Sequence, residues 1–552
     1  MTEPGTTLER TLRPGRGESA GAQRPYRKLA YGPGEPRLRR EELAPSPPAG
    51  AGPGSSLLRL AHVTDFQVAD VQSPARFEFC ERLRGLAGSE NYVPACRPQE
   101  SMAPHAVAAM VRTLNSLPPS AETGAELDLA LCTGDTLDNA QQNELDWSVA
   151  ILAGGVAALG SGGPGYEGVQ SIGWEPALYW SPEPGPDPYK ERFGYPSRPG
   201  LLGEALRPLG SPGLAVPWLA CFGNHDGLAL GTAIATPAYE QVLLGALKPV
   251  DLPPGLDPMA LIEAFVSHPE LLLAGPSRPV RPDAERRSVA RRELVSALLA
   301  AGGRPAGHGY RKENLERGTA YAVYDLDGPV PLRVVLLDTV DLDGGFQGSI
   351  GLRQLRWLEE RLSEAHSRAY DAAGRLVGTG GADRLVVLAS HHGLASMVNG
   401  REDPGGLETD HPRVLARELE ELLHRFPNVV LWLNGHRHRN EVRPRPDPSG
   451  RSGGFWEVST AALADWPCQG RLVELTCDAE GELTILSAML DSAVPPDPAE
   501  AAGAGADTVV QLAAFHRELA SNDPFSGAGT GGEGSPGDRN VALRVPAPFP
   551  LR

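Results

Sequence analysis

The sequence predicts a mixed α/β chain of α+β type: two mixed β-sheets packed together with helices outside, a four-layer αββα sandwich carrying long inserts. Three observations predict it. Ten short runs of β-branched or large apolar residues, bounded by Gly, Asp or Pro, have the length and borders of sheet strands. Helical patterns fall between several early runs, and a β-rich series closes the chain, as two sheets with outer helices require. The 552 residues, 41% apolar and 22% charged, are enough to bury a large core.

In chain order, residues 1–54 are rich in Pro, Gly and Arg without apolar periodicity, and predict a disordered basic tail. A domain then runs over 55–492. Its expected strands are Leu57–Val63, Leu127–Cys132, Val216–Phe222, Tyr321–Leu326 and Val334–Leu337. They continue with Leu385–Ala389, Val429–Leu433, Phe455–Thr460, Leu472–Cys477 and Leu483–Met489. His105–Leu117 places Val107, Met110, Val111 and Leu114 on one helical face. Val414–Phe426 does the same with Leu415, Leu419, Leu422 and Leu423, and Pro427 stops it. Val289–Leu299 and Leu352–Leu362 are also amphipathic. Residues 160–212 and 227–318 read as inserts, rich in Pro and Gly or broken by them. In the first, Trp174, Tyr179 and Trp180 either stack on a base or sugar or, more ordinarily, anchor the loop. Residues 493–552 form an extension with one helix at Thr508–Leu519.

The net charge of −18 argues against a nucleic-acid groove as the main binding surface. No run reaches the ~18–20 apolar residues of a membrane helix, so no membrane partner is expected. The N-terminal stretch has no apolar signal core, and the expected compartment is cytoplasmic. The six cysteines (80, 96, 132, 221, 468 and 477) form no C-x-x-C pair. Cys132 and Cys221 lie in strand runs and are expected as buried thiols, while a Cys80–Cys96 disulfide stays open. Nothing in the sequence bears on oligomeric state.

The chemistry lies in five segments far apart in the chain: Thr64-Asp65-Phe66-Gln67, Gly134-Asp135-Thr136-Leu137-Asp138, Gly223-Asn224-His225-Asp226, Ser390-His391-His392 and Gly435-His436-Arg437-His438. Each follows a strand run, so strand ends on one sheet edge gather them. Any one alone is weak, because Gly-Asn and Gly-Asp are common turn formers. All five in order, each at a strand end, are the signal. Asp, Asn and His without Cys suit two hard or borderline cations. Two such ions ~3.5–4 Å apart clamp a phosphate and activate water, with one carboxylate shared. Asp65, Gln67, Asp135, Asn224, His391, His436 and His438 make up such a set, leaving His225 for the substrate. His391 closes its strand and is preferred to His392, which reads as a neighbouring or substrate-facing group. His62, inside the first strand, reads as a satisfied core residue. Arg437, Arg439, Arg443 and Arg445 either attract anions or line a solvated loop.

The order D-x-(H), G-D-x-x-D, G-N-H-D/E, (H)H and G-H-x-H resembles the calcineurin-like metallophosphoesterase superfamily, over about Arg59 to His438, and the long inserts resemble a bacterial branch of it. The resemblance implies Asp65, Gln67 and His438 on one metal, Asn224, His391 and His436 on the other, and Asp135 bridging. It implies that His225 contacts the scissile phosphate or protonates the leaving oxygen, with Asp138 and Asp226 orienting an imidazole. The implied cofactors are two divalent or trivalent ions, Mn, Fe or Zn. Gln67 stands where the family usually has His; its amide oxygen either ligates weakly, which favours Mn or Fe over Zn, or stands off the metal. The implied activity is hydrolysis of a small phosphate mono- or diester by a metal-bound hydroxide. The alternative is a catalytically weak or inactive binding or regulatory protein on the same fold.

Overall fold

The computed structural model describes residues 2–17, 25–44, 54–86, 95–171, 178–255, 257–403, 406–502, 507–525 and 531–551. The strands that matter here are β1 (Arg10–Gly17), β2 (Arg27–Pro33), β3 (Leu38–Arg40), β4 (Ser55–Val63), β5 (Leu129–Cys132), β6 (Trp218–Ala220), β7 (Ala322–Leu326) and β8 (Leu332–Leu336). They are followed by β9 (Leu385–Ala389), β10 (Val429–Asn434), β11 (Glu441–Arg445), β12 (Phe455–Ser459), β13 (Gln469–Cys477), β14 (Leu483–Asp491) and β15 (Val541–Val545). Two sheets result: a seven-stranded one in the order β3-β15-β14-β13-β4-β5-β6, and a six-stranded one in the order β7-β8-β9-β10-β12-β11.

Both sheets are mixed, and their parallel parts carry the predicted motifs. In the first sheet β4, β5 and β6 run parallel. In the second, β8, β9, β10 and β12 do. Parallel strands buried on both faces read as unbroken apolar runs, and Leu385-Val386-Val387-Leu388-Ala389 is such a run, buried throughout. The two-residue strand period sorts the second sheet's faces. Val334, Leu336, Val387, Ala389, Leu431 and Leu433 point into the core shared with the first sheet. Val335, Leu337, Val386, Leu388 and Trp432 meet Leu358 and Leu362 of helix Leu352–Glu364 and Leu419, Leu422 and Leu423 of helix Ala416–Leu423. Val107, Met110, Val111 and Leu114 of helix Ala103–Asn115 pack with the first sheet, as their spacing predicts. The mixed α/β sandwich expected from the sequence is therefore present.

The chain ends depart from expectation. Of the stretch 1–54, the described residues 2–17 and 25–44 are not a disordered tail: β1 and β2 pair as an antiparallel hairpin, and β3 lies parallel to β15 at the edge of the first sheet. Leu12 and Leu29 of the hairpin are buried against Trp466, Cys468 and Ala520. The extension is likewise part of the sandwich, since β15 pairs antiparallel with β14, and helix Thr508–Asn522 packs on Ala103–Asn115. The first sheet thus closes with strands from both ends of the chain, across the predicted boundary at 492. All six cysteines are buried, and Cys80 and Cys96 are free thiols rather than a disulfide. No helix among the described residues is long and apolar enough to cross a membrane.

Candidate metal centre

Parallel strands end on one edge, and the loops leaving β4, β5, β6, β9 and β10 meet there. The main chain ties them together: Asp65 N–H donates to Gly134 O (3.1 Å) and Gly435 N–H to His391 O (3.0 Å). Leu463 and Ala464, beyond β12, donate to Thr64 O (3.2 Å) and Asp65 O (3.1 Å), which joins the two sheets at this edge. The motif glycines leave room for the approach. A Cβ on Gly223 would sit 2.2 Å from Asp135 Oδ1, and one on Gly435 would sit 2.1 Å from Thr64 Oγ1.

Five of the seven predicted ligands hold left-handed backbone: Asp65 (φ 53°), Gln67 (44°), Asp135 (51°), His436 (67°) and His438 (49°). Such a conformation costs a non-glycine residue about 1–2 kcal/mol, so surrounding bonds must impose it. At Asp135 the Asp226 carboxylate does so. It is buried and accepts from the N–H groups of Asp135 (2.9 Å), Thr136 (2.8 Å), Leu137 (3.0 Å) and Gly223 (2.8 Å), and from Thr136 Oγ1 (2.7 Å). Burial and the Asp135 charge push its pKa up to about 6, while these donors pull it down.

The structure brings ligand atoms of Asp65, Asp135, His391, His436 and His438 close together, and the hydrogen bonds around the site fix one atom of several of the predicted ligands. Asn224 Nδ2 donates to Gly231 O (2.9 Å), and His391 Nδ1 pairs with Thr133 O (2.9 Å). Asp65 Oδ2 accepts from Thr64 Oγ1 (2.7 Å) and the His436 N–H (3.0 Å). Of the remaining atoms, all buried, Asn224 Oδ1 and Gln67 Oε1 have no hydrogen-bond partner, while Asp65 Oδ1 and His391 Nε2 contact only other predicted ligands. His391 Nε2 lies 3.1 Å from Asp135 Oδ2 and 4.0 Å from Asp65 Oδ1, and His438 Nε2 lies 3.3 Å from Asp65 Oδ1. Ligand atoms of Asp65, Asp135 and His391 all fall within 4.8 Å of one another, as do those of His391, His392 and His436. An unpaired buried polar atom costs about 1–3 kcal/mol. Gln67 Oε1 and Asn224 Oδ1 are such atoms, and beside the crowded carboxylates and imidazoles they fit a site built for cations.

The electrostatics point the same way. Burial opposes a charge on His391, yet Asp135 and Asp65 raise its pKa to about 9; Asp65 and Asp465 likewise raise His438 to about 10. Burial, then the neighbouring imidazoles, push His436 well below its ordinary value. The carboxylates thus draw positive charge to two separate places.

The accompanying residues are rearranged relative to expectation. Asp226 orients main chain rather than an imidazole. The Asp138 carboxylate is taken by Arg76 (3.0 Å), and it is the Asp138 carbonyl that pairs with His225 Nδ1 (2.5 Å). His225 is half-buried, and its N–H donates to Asp135 Oδ1 (2.8 Å). His392 is close enough to be a ligand, but both its nitrogens are engaged, with Thr339 Oγ1 (2.9 Å) and Phe346 O (3.0 Å). Burial and His391 hold its pKa down at about 3. Those bonds make it a neutral buttress rather than a substrate-facing group.

Asp465 was not among the predicted residues. Its Oδ2 pairs with His438 Nδ1 at 2.5 Å, and its Oδ1 lies 2.8 Å from Arg97 Nε. Burial raises its pKa, but Arg97 and His438 outweigh that and hold it below the carboxylate range. A signal existed: β12 runs parallel to β10, so residues following β12 arrive at the same edge. Arg97, in the segment before helix Ala103–Asn115, carried none. Neither the protein-family models nor the curated proteins with which the chain was compared match it.

Proposed function

We propose that this chain is a metal-dependent phosphoesterase of the calcineurin-like metallophosphoesterase type, hydrolysing a small phosphate mono- or diester. One observation carries the reading: ligand atoms of Asp65, Asp135, His391, His436 and His438 crowd together at one strand edge, where the buried Gln67 Oε1 and Asn224 Oδ1 have no partner. Asp65, Gln67 and His438 would hold one ion, Asn224, His391 and His436 the other, and Asp135 would be shared. Bound there, two ions would neutralise the phosphate's charge and acidify a water. The neutral amide of Gln67, in place of an imidazole, favours Mn or Fe over Zn.

His225 Nδ1 donates to the Asp138 carbonyl, which leaves the Nε2 lone pair to take up a proton, giving the imidazolium, and to deliver it to the leaving oxygen. The unpaired Gln67 Oε1 supports ligation by this residue and weighs against an inactive binding protein on the same fold.

The test is metal content and hydrolysis of p-nitrophenyl phosphate and bis-(p-nitrophenyl) phosphate by the purified chain with added Mn²⁺. Two ions per chain, turnover of at least one ester and a thermal midpoint raised by Mn²⁺ are expected. A chain that binds no metal and cleaves neither ester would overturn the reading.

A further inference from the structure

From the geometry behind His438 we infer that Asp465 and Arg97 are a positioning pair that sets the affinity of one metal ion only and compensates for Gln67. The inference rests on the reading of this edge as a metal centre.

The two histidines whose Nε2 lies beside Asp65 Oδ1 are backed differently. His391 Nδ1 meets a main-chain carbonyl, Thr133 O, at 2.9 Å. His438 Nδ1 meets the Asp465 carboxylate at 2.5 Å. A carbonyl fixes the tautomer and ring orientation; a carboxylate does both and also makes the imidazole a stronger donor through its charge. Asp465 is itself held from behind by Arg97, whose Nε lies 2.8 Å from Oδ1. Arg97 Nη1 lies 3.9 Å from Asp138 Oδ1, Asp138 Oδ2 lies 3.0 Å from Arg76, and Arg76 forks onto Glu100 with two contacts of 3.0 Å. The carboxylate therefore cannot swing away without breaking a buried network.

This reinforcement sits on the side of the centre that needs it. Gln67 offers a neutral oxygen where an imidazole would bind more strongly, and the ion beside it would share Asp65, His438 and Asp135. A stronger His438 restores donor strength there, whereas the other ion, with two imidazoles of its own, needs no such help. Both residues lie outside the five motifs.

The experiment titrates metal-stripped full-length chain with Mn²⁺ by calorimetry and chelator competition, with circular dichroism to verify folding. Wild type should bind two ions. Asp465→Asn should weaken one binding event by ~10–100-fold and leave the other unchanged. Asp465→Glu should restore part of that loss, and Arg97→Met should weaken the same event by less, a second reading should the first variant fail to fold. In Gln67→His the first ion should bind tighter, and adding Asp465→Asn there should cost less than it does alone. Equal weakening of both events, or no change in either, overturns the inference while the metal centre stands. A wild-type chain that binds no Mn²⁺ overturns the metal reading and this inference with it.

Discussion

At the scale of single residues, the site is a place where the fold accepts local strain to fix side chains. Asp, Asn and His tolerate left-handed backbone better than most residues, but Gln has no such excuse. Gln67 adopts φ 44° in a segment 3% exposed at that position, and its amide oxygen has no partner. Both costs would be recovered by a cation. His225 tests the division between binding and chemistry. Its Nδ1 is engaged with the Asp138 carbonyl, and none of the close ligand groupings includes it. His225→Ala should therefore leave Mn²⁺ stoichiometry at the wild-type value while turnover of p-nitrophenyl esters falls ~10²–10⁴-fold, the range for general acid–base catalysis. Metal loss in that variant would instead make His225 a ligand.

At the scale of elements, what the sequence disclosed depended on where burial partners lie. Strands such as β9 and β10 are buried on both faces, so their apolar runs are locally legible, and their ends place His391 and His436. The hairpin β1–β2 was illegible because Leu12 and Leu29 find their partners more than 400 residues away, at Trp466 and Ala520. Asp465 was hidden for a related reason: its neighbours give it meaning only once Arg97 and His438 are folded beside it. The inserts are similar. Trp180 and Tyr179 are buried loop anchors, Trp180 among Tyr189, Tyr195 and Phe515, whereas Trp174 lies outside the described residues. The second insert is locked by Arg286, fully buried, which pairs with Asp70 (3.1 Å), Ser161 Oγ (2.9 Å) and Arg281 O (2.7 Å). One guanidinium thus joins both inserts to the segment three residues beyond Gln67. Removing one partner of a buried pair strands the other charge, so Arg286→Met should cost about 3–5 kcal/mol in urea denaturation. Arg286→Lys should not rescue it, because an ammonium lacks the planar fork. A cost below about 1 kcal/mol, the range of exposed pairs, would mean the inserts are not locked.

At the scale of the whole molecule, the two sheets are joined not only by apolar packing but by a histidine that must stay neutral. His62 on β4 is fully buried, with Nε2 on Thr133 Oγ1 and Nδ1 on Thr460 Oγ1, both at 2.8 Å, so it bridges a loop of each sheet. Burial, then the Arg471 charge, push its pKa down to about 3. Burial is also the main reason that His105 and His516, where two helices of the first sheet's outer layer meet, stand at about 3. The unfolded chain would protonate all three near 6.5. Because the folded pKa values are depressed, the stability these groups contribute is full above about 6.5 and is lost as pH falls from there towards 3. Each adds about 1.4 kcal/mol per pH unit to that slope within the window. His62→Gln isolates one of them. The variant should be less stable than wild type at pH 7.5, since Thr133 and Thr460 lose a shared partner. Its denaturation free energy should then fall less steeply with acidification, by about 1.4 kcal/mol per pH unit between 6 and 4, so the two curves converge. Taking the difference between the two proteins cancels the protons bound by the site's own carboxylates and imidazoles. Parallel curves over that range would show that His62 charges in the folded state and that the bridge between the sheets does not depend on its neutrality.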